Sequence, residues 1–186
     1  MRIRITGMVA AFAMLTLAAT GGVAMGDSFP PAPPAPSTVP QTSVVRSDDQ
    51  SVTVATMKAV RSPRLGDPAP EITAGGPGVI SCNLNVQNPH NSSHVNGFVN
   101  VVVTVTCTSP VDAISLRAAL YFEGGLVKDS GSSTSTGVAF KQSNAARSCI
   151  SGSYTGWGST IVQFPPGYTP ASGSSTAFGN TVSILC

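Results

Sequence analysis

The chain contains few charged side chains, and their signs nearly balance. Ten Lys and Arg stand against eight Asp and Glu, and charged residues make up 10% of the sequence. Arg2 and Arg4 lie in a segment that we expect to be removed on export, which would leave eight residues of each sign. Proteins that bind nucleic acid or anionic lipid through charge carry a basic stripe or cluster. The balance therefore disfavours nucleic-acid binding and electrostatic attachment to a membrane.

Side chains that perform acid–base or nucleophilic chemistry are also scarce. Residues 78–186 contain three carboxylates, Asp112, Glu123 and Asp129, and no two of them are close in the sequence. A glycosidase needs a pair of carboxylates around the scissile bond. A serine hydrolase needs its nucleophile on a strand–turn–helix elbow such as GxSxG, which the chain lacks. We therefore predict that the protein is not an enzyme and has neither catalytic residues nor a cofactor.

The two histidines do not predict a metal site. His90 and His94 lie four residues apart in a polar segment, without Asp, Glu or a free Cys beside them. A zinc site needs three or four ligands at fixed geometry. We interpret both residues as polar loop histidines and predict no metal.

Long apolar runs are absent, and the single apolar segment is short. Residues 8–19 form a run of about a dozen residues behind two arginines, and Ala24-Met25-Gly26 follows it. This order is typical of a secretory signal peptide, whereas a membrane-spanning helix needs about 20 apolar residues. We predict a signal peptide at 1–26 and no membrane span after its cleavage.

The segment that follows is rich in proline and poor in large apolar residues. Residues 30–40 read PPAPPAPSTVP, a composition that favours the extended polyproline II conformation. We interpret 27–77 as a Pro-rich, mostly disordered stalk, with one transient turn or strand near 51–60. An alternative role for the Pro-rich part is that of a PxxP ligand for an aromatic groove.

Four cysteines are present, and an exported protein would oxidise them into structural disulfides. Opposed residues of an antiparallel hairpin have a constant sum of positions. Cys82 and Cys107 would thus face each other across a turn near residue 94, and Cys149 and Cys186 across a turn near 167. We favour these two pairs, while Cys107–Cys149 with Cys82–Cys186 is the alternative. Cys149 falls on a polar face of its predicted strand, which would require a β-bulge near Gly152.

Residues 78–186 show the alternation of apolar and polar side chains that is typical of β-strands. The clearest examples are 79–87, 98–108 and 112–122, after which Glu123-Gly124-Gly125 predicts a tight hairpin. We expect further strands at 126–128, 137–141, 147–164 and 177–186. About seven short strands without helical periodicity predict an all-β fold, an antiparallel immunoglobulin-like sandwich over 78–186.

Aromatic residues make up only 6% of the chain, yet they offer the one candidate ligand surface. Together with Tyr121 and Trp157, Tyr154 and Tyr168 would form a flat surface for sugar stacking, and the last two are our candidate binding residues. Hairpin register places Trp157 opposite Phe178, which favours a core position for Trp157. The segment 163–174, stiffened by three prolines, is a second candidate, as an inhibitor-like loop.

Several segments resemble a group of small, uncharacterised secreted proteins of actinobacterial type with a two-disulfide, immunoglobulin-like β domain. They are VQNPHNSSHVNGFVNVVVTVTCTSPV, ISLRAALYFEGGLV, GWGSTIVQFPPGYTP and the terminal cysteine. The resemblance covers most of 79–186 and leaves out the Pro-rich segment. It implies export and β-architecture, and it transfers no catalytic residue.

These features predict a secreted, non-enzymatic interaction module, either free in the extracellular space or associated with the cell wall. Its partner would be an extracellular or cell-wall protein or a glycan. One alternative is a glycan-binding module that uses Tyr154 and Tyr168. The other is a secreted protease inhibitor that uses the 163–174 loop.

Overall fold

The computed structural model describes residues 31–34, 52–62 and 78–186, and within these ranges it is all-β. The predicted signal peptide at 1–26 and most of the predicted stalk lie outside the described residues. Within the same ranges, no helix has the length and apolar character that crossing a membrane requires. The strands are β1 (Val52–Arg61), β2 (Val79–Gln87), β3 (His90–Asn91), β4 (Phe98–Phe122), β5 (Gly125–Asp129), β6 (Ser133–Ser148), β7 (Gly152–Gln163), β8 (Tyr168–Thr169) and β9 (Ser172–Ile184).

All nine strands belong to one antiparallel sheet, which is organised around the 25-residue strand β4. β6 pairs with β4 along most of its length, with an irregularity between Thr106 and Val111. On the side of β4 opposite β6, β2 pairs with residues 103–107 and β7 pairs with residues 113–122. The two strands predicted at 98–108 and 112–122 are therefore one strand.

The irregularity in β4 explains why the sequence pattern reads as two strands. Up to Val111, where the irregular stretch ends, the core residues of β4 are odd-numbered, whereas from Ile114 to Leu120 they are even-numbered. Side chains alternate between the two faces of a strand, so a change of parity requires an irregular step in the backbone.

The sheet folds over itself, so that its inner face encloses one core. β1 lies against β9, and β2 lies against β7 and β9, although none of these pairs shares a hydrogen-bonded ladder. Residues from all of these strands meet in the same apolar cluster, including Met57, Leu84, Val103, Val162 and Val182. The part of the chain that the structure describes is therefore held together mainly by contacts between residues distant in sequence.

Two glycines of β7 allow the folded halves to come close together. A Cβ at Gly158 would lie 2.6 Å from Cγ1 of Val103 and 3.0 Å from Cγ2 of Val86, whereas carbon atoms pack best at about 3.5–4.0 Å. A Cβ at Gly156 would collide with Val101 in the same way. A larger side chain at either position would push β7 away from the first half of β4, which it faces across the core.

We predict that Gly158→Ala lowers the free energy of unfolding by about 1–3 kcal/mol, because the added methyl overpacks the core. Denaturant unfolding of the variant measures the loss. Gly125→Ala is the matched control, since its Cβ would meet only the Phe122 carbonyl oxygen, at 3.5 Å. An unfolding midpoint for Gly158→Ala equal to that of the unmodified chain would contradict the close packing.

The two disulfides join the pairs predicted from hairpin register. Cys82 is bonded to Cys107, and Cys149 is bonded to Cys186, so the favoured pairing is confirmed and the alternative pairing is wrong. Cys82 and Cys107 are direct partners in the β2–β4 ladder, and both are buried. Crosslinks that close loops of this length restrict the unfolded chain and contribute about 3–4 kcal/mol each in the chain-entropy model.

The strand predicted at 147–164 includes Cys149, but in the structure Cys149 lies outside β7. β6 ends at Ser148 and β7 begins at Gly152, so Cys149 belongs to the connecting loop, where its N–H donates to the carbonyl of Gly97 at 2.7 Å. The predicted bulge near Gly152 is therefore wrong. The irregularity of β7 lies instead between Thr155 and Trp157, in its pairing with β9.

β1 is a strand of the sheet, which corrects the predicted domain boundary at residue 78. It pairs with β2 along its length, placing Met57 opposite Cys82, and Met57 and Ala59 are buried. The sequence signal was weak because two of its inward residues are alanines, whereas Val54 on the other face is 55% exposed. The segment 27–77 is therefore not wholly a stalk.

We predict that Met57→Ala lowers the free energy of unfolding by about 2–5 kcal/mol, as for other buried apolar side chains that are truncated to alanine. Thermal or denaturant unfolding of the chain measures the change. Lys58→Ala, at the exposed neighbouring position, should change stability by no more than about 0.5 kcal/mol. Equal small effects of the two substitutions would show that β1 does not belong to the cooperative unit.

The hairpin predicted at Glu123-Gly124-Gly125 is confirmed. Phe122 pairs with Gly125, and the two residues between them have positive φ angles, 47° at Glu123 and 79° at Gly124. Positive φ at both central residues is the requirement of a type I′ turn, which glycine meets at no steric cost.

Candidate functional site

The two tyrosines predicted to bind ligand do not form an exposed stacking surface. Tyr154 is completely buried in the main core, where its ring lies 4.9 Å from that of Phe122 and its hydroxyl donates to the carbonyl of Ile150 at 2.8 Å. The expectation that Tyr154 faces outward is therefore wrong. Tyr168 is half-buried and packs against the same core.

The loop within 163–174 lies along β1. The β7–β9 ladder reaches Gln163 opposite Ser172, and the two residues of β8 pair with the end of β1. The N–H of Ser62 also donates to the carbonyl of Gly167 at 2.7 Å. Much of the backbone that an inhibitor loop would present to a protease is thus already paired with β1.

Three aromatic rings meet elsewhere, on the outer face of the sheet. Trp157 pairs with Phe178 across β7 and β9, which confirms the predicted register, and their ring centroids are 6.5 Å apart. The Tyr121 ring lies 5.8 Å from that of Phe178, and Ala119 is the β4 partner of Trp157. We call these four residues, Ala119, Tyr121, Trp157 and Phe178, the aromatic patch.

The aromatic patch lies on the face opposite the main core. Ala118 and Leu120 of β4 belong to the main core, whereas Ala119 and Tyr121 between and beside them belong to a separate cluster with Trp157. Trp157 is therefore buried, as predicted, but its side chain lies on the face of the sheet opposite the main core. Tyr121 and Trp157 are each only 1% exposed, so other parts of the molecule cover them.

Part of the Pro-rich segment contributes to this cover. Ala32 is half-buried and packs against the aromatic patch. The hydroxyl of Tyr121 donates to the carbonyl of Pro33, across 88 residues of sequence. Pro31, Pro33 and Pro34 are exposed. Proline lacks an N–H, so the carbonyl oxygens are the only backbone groups with which a run of prolines can form hydrogen bonds.

An ion pair borders the aromatic patch. Nε of Arg117 lies 3.0 Å from both carboxylate oxygens of Asp129, and its Nη2 also bonds to Oδ2. The guanidinium carbon lies 5.9 Å from the Trp157 ring centroid, a cation–π distance. The hydrogen bond from Arg117 holds the pKa of Asp129 below its ordinary value and raises that of Arg117. Burial raises the pKa of Tyr121, which keeps its hydroxyl a donor.

The other chemistry-bearing side chains have structural partners or lie apart. Glu123 accepts a hydrogen bond from the N–H of Ser153 at 2.8 Å, and Asp112 is exposed. Nδ1 of His90 lies 3.0 Å from the carbonyl oxygen of Asn88. In the described ranges, no three His, Cys, Asp or Glu side chains are grouped so that they could hold a metal ion.

We compared the chain with protein-family models, curated proteins and solved structures, and none of them matches it. The function is therefore inferred from the aromatic patch. The sequence patterns did not indicate that Phe178 belongs to this patch or that Arg117 and Asp129 form an ion pair at its border. A usable signal was present in β4, because Tyr121 stands on the otherwise polar or small face of the predicted strand, two residues from Ala119 and four from Arg117.

We predict that Asp129→Asn lowers the free energy of unfolding near pH 7 by about 1 kcal/mol, as expected for a half-buried ion pair with several hydrogen bonds. The pKa of Asp129 is lower in the folded state than its ordinary value of 3.8, so the ion pair stabilises the protein above that pH. The contribution is lost as the pH falls through 3.8 and then through the lower folded value.

Denaturant unfolding of both chains between pH 7 and pH 3 measures this difference. The two stability curves should converge at acidic pH. Asp112→Asn, which changes an exposed carboxylate of the neighbouring strand β4, is the control. A deficit of Asp129→Asn that is the same at pH 7 and pH 3 would rule out the ion pair as its cause.

Proposed function

We propose that the protein is an exported, non-enzymatic interaction module of the extracellular space or cell envelope, and that it binds its partner through the aromatic patch. The observation that carries this proposal is the position of three aromatic rings on the outer face of a sheet whose core is built on the other face. Aromatic side chains combine a large apolar surface with a polar edge, and they dominate the energetics of binding surfaces.

Export is supported by the chemistry of the cysteines. All four are oxidised in two disulfides, which form and persist in oxidising compartments. The signal peptide predicted at 1–26 and the resemblance to small secreted proteins of actinobacterial type are in accord with this location. The Pro-rich segment would then lie between the site of cleavage and the folded domain.

We also propose that the folded sheet corresponds to an immunoglobulin-like sandwich. In support, β1 and β2 pack against β7 and β9 without sharing a ladder with them, as the two layers of a sandwich do. The continuous strand β4 would then pass from one layer to the other at the irregularity between Thr106 and Val111.

A glycan is the second candidate partner, and the aromatic patch favours it. Trp157 and Tyr121 are each 1% exposed, so their cover would have to be displaced first. Beside the Arg117–Asp129 pair they would then offer both stacking and hydrogen bonding to a sugar. Tyr154 would take no part, because it lies inside the main core. The inhibitor alternative has no comparable support, since backbone groups of its loop are bonded to the end of β1 and to Ser62.

The proposed function predicts that the exported chain is retained on washed cell envelope and that Phe178→Ala weakens this retention about tenfold or more, as for a residue central to an interface. Phe178 is half-buried at the rim of the patch, so its truncation removes contact area there. A co-sedimentation titration measures the apparent affinity.

Phe140→Ala is the matched control, because Phe140 is 54% exposed on β6 and lies outside the patch. Its retention should equal that of the unmodified chain. Addition of soluble glycan fragments distinguishes a glycan from a protein partner, since only a glycan partner would be competed away. Identical retention of Phe178→Ala and the unmodified chain, or catalytic turnover by the pure protein, would refute the proposed function.

A further inference from the structure

We propose that the aromatic patch is a binding site for proline-rich peptide in the polyproline II conformation, and that residues 31–34 of the same chain are its resident ligand. This inference deepens the proposed function, because it names the chemical class that the patch recognises. It depends on the proposed function only in using the same surface.

The contacts match what a polyproline II segment offers. Such a segment has no internal hydrogen bonds, so its carbonyl groups are free to accept, and its rigid conformation loses little entropy on binding. The Tyr121 hydroxyl donates to one such carbonyl, that of Pro33. The neighbouring Ala32 packs against the buried cluster of Ala119, Tyr121 and Trp157 within the patch. Aromatic grooves bind proline-rich peptides through this combination of flat rings and a donor.

The sequence of the segment has the threefold repeat of polyproline II, and its one half-buried described residue is an alanine of that repeat. Ala32 is half-buried, whereas Pro31, Pro33 and Pro34 are exposed. The sequence from Pro30 onward repeats the unit Pro-Pro-Ala, and polyproline II has three residues per turn. One side of such a helix presents only the small alanines, which is the side that approaches the rings at Ala32.

Between the described residues, the segment is held to the patch by the Ala32 side chain and by the hydrogen bond from Tyr121 to Pro33, so a competing segment can displace it. One methyl group and one hydrogen bond give little affinity on their own. The covalent connection to β1 raises the effective concentration of the segment to the millimolar range. A proline-rich peptide in solution that makes additional contacts would therefore compete with residues 31–34 for the aromatic patch.

Trp157 is the only tryptophan of the chain, so its fluorescence reports on the patch alone. In the full exported chain, Ala32→Asp places a charge against the rings and should release the segment. We expect the Trp157 emission to shift to longer wavelength and its quenching by acrylamide to increase. Ala171→Asp makes the same substitution at an exposed position outside both the segment and the patch, and its emission should equal that of the unmodified chain.

A synthetic peptide with the sequence of residues 28–40 then tests recognition directly. Added to the Ala32→Asp chain, it should restore the short-wavelength emission, whereas a glycine–serine peptide of equal length should not. The unmodified chain should bind the same peptide at least about tenfold more weakly, because its own segment competes. Phe178→Ala introduced into the Ala32→Asp chain should abolish the restoration.

Two results would overturn the proposal. If Trp157 emission and quenching are the same in Ala32→Asp and the unmodified chain, residues 31–34 do not cover the patch. If the emission shifts but no concentration of the peptide restores it, the patch does not recognise polyproline II. Circular dichroism and the unfolding midpoint of each variant identify a folding defect, and in that case titration of peptide into the unmodified chain decides. Envelope retention can fail while this peptide binding persists, so the two proposals are separately testable.

Discussion

The close approach of β7 to β4 is the constraint on which the rest of the structure depends. Gly156 and Gly158 have no Cβ and face Val101 and Val103, in the first half of β4. The space between these two backbone segments is therefore filled from the β4 side, by the valine side chains. The core excludes any large residue at these two positions. The residue between them, Trp157, therefore has to project from the opposite face.

The alternation of side chains along β7 also determines which residues lie on the outer face of the sheet. Trp157 is joined there by Tyr121 from β4 and Phe178 from β9, and the small Ala119 of β4 lies opposite it. These rings would be a large apolar surface in water, and such surfaces on monomeric proteins are usually covered or used for binding. The Pro-rich segment supplies part of the cover at Ala32. The two disulfides crosslink the ends of the β2–β4 and β7–β9 hairpins.

Local patterns predicted the strands and the disulfides because both depend on neighbours in a hairpin. Alternation located β2, and constant-sum register paired the cysteines and placed Trp157 opposite Phe178. The same patterns predicted only a transient turn or strand near 51–60, because two inward residues of β1 are alanines. They read β4 as two strands because its buried positions change parity. The face of Trp157 and the contact of Ala32 could not be predicted, since nothing local to Trp157 indicates which face of β7 is filled or that Ala32, more than a hundred residues away, packs against the patch.

The most direct test of this account is a NOESY spectrum of the protein with the Trp157 indole assigned. The account predicts cross-peaks from the indole protons to the Ala119 and Ala32 methyl groups and to the Phe178 ring. The Gly158 Hα protons should instead show cross-peaks to the methyl groups of Val103. Indole cross-peaks to the methyl groups of Val101 or Val103, without any to Ala32, would place Trp157 in the main core and contradict the account.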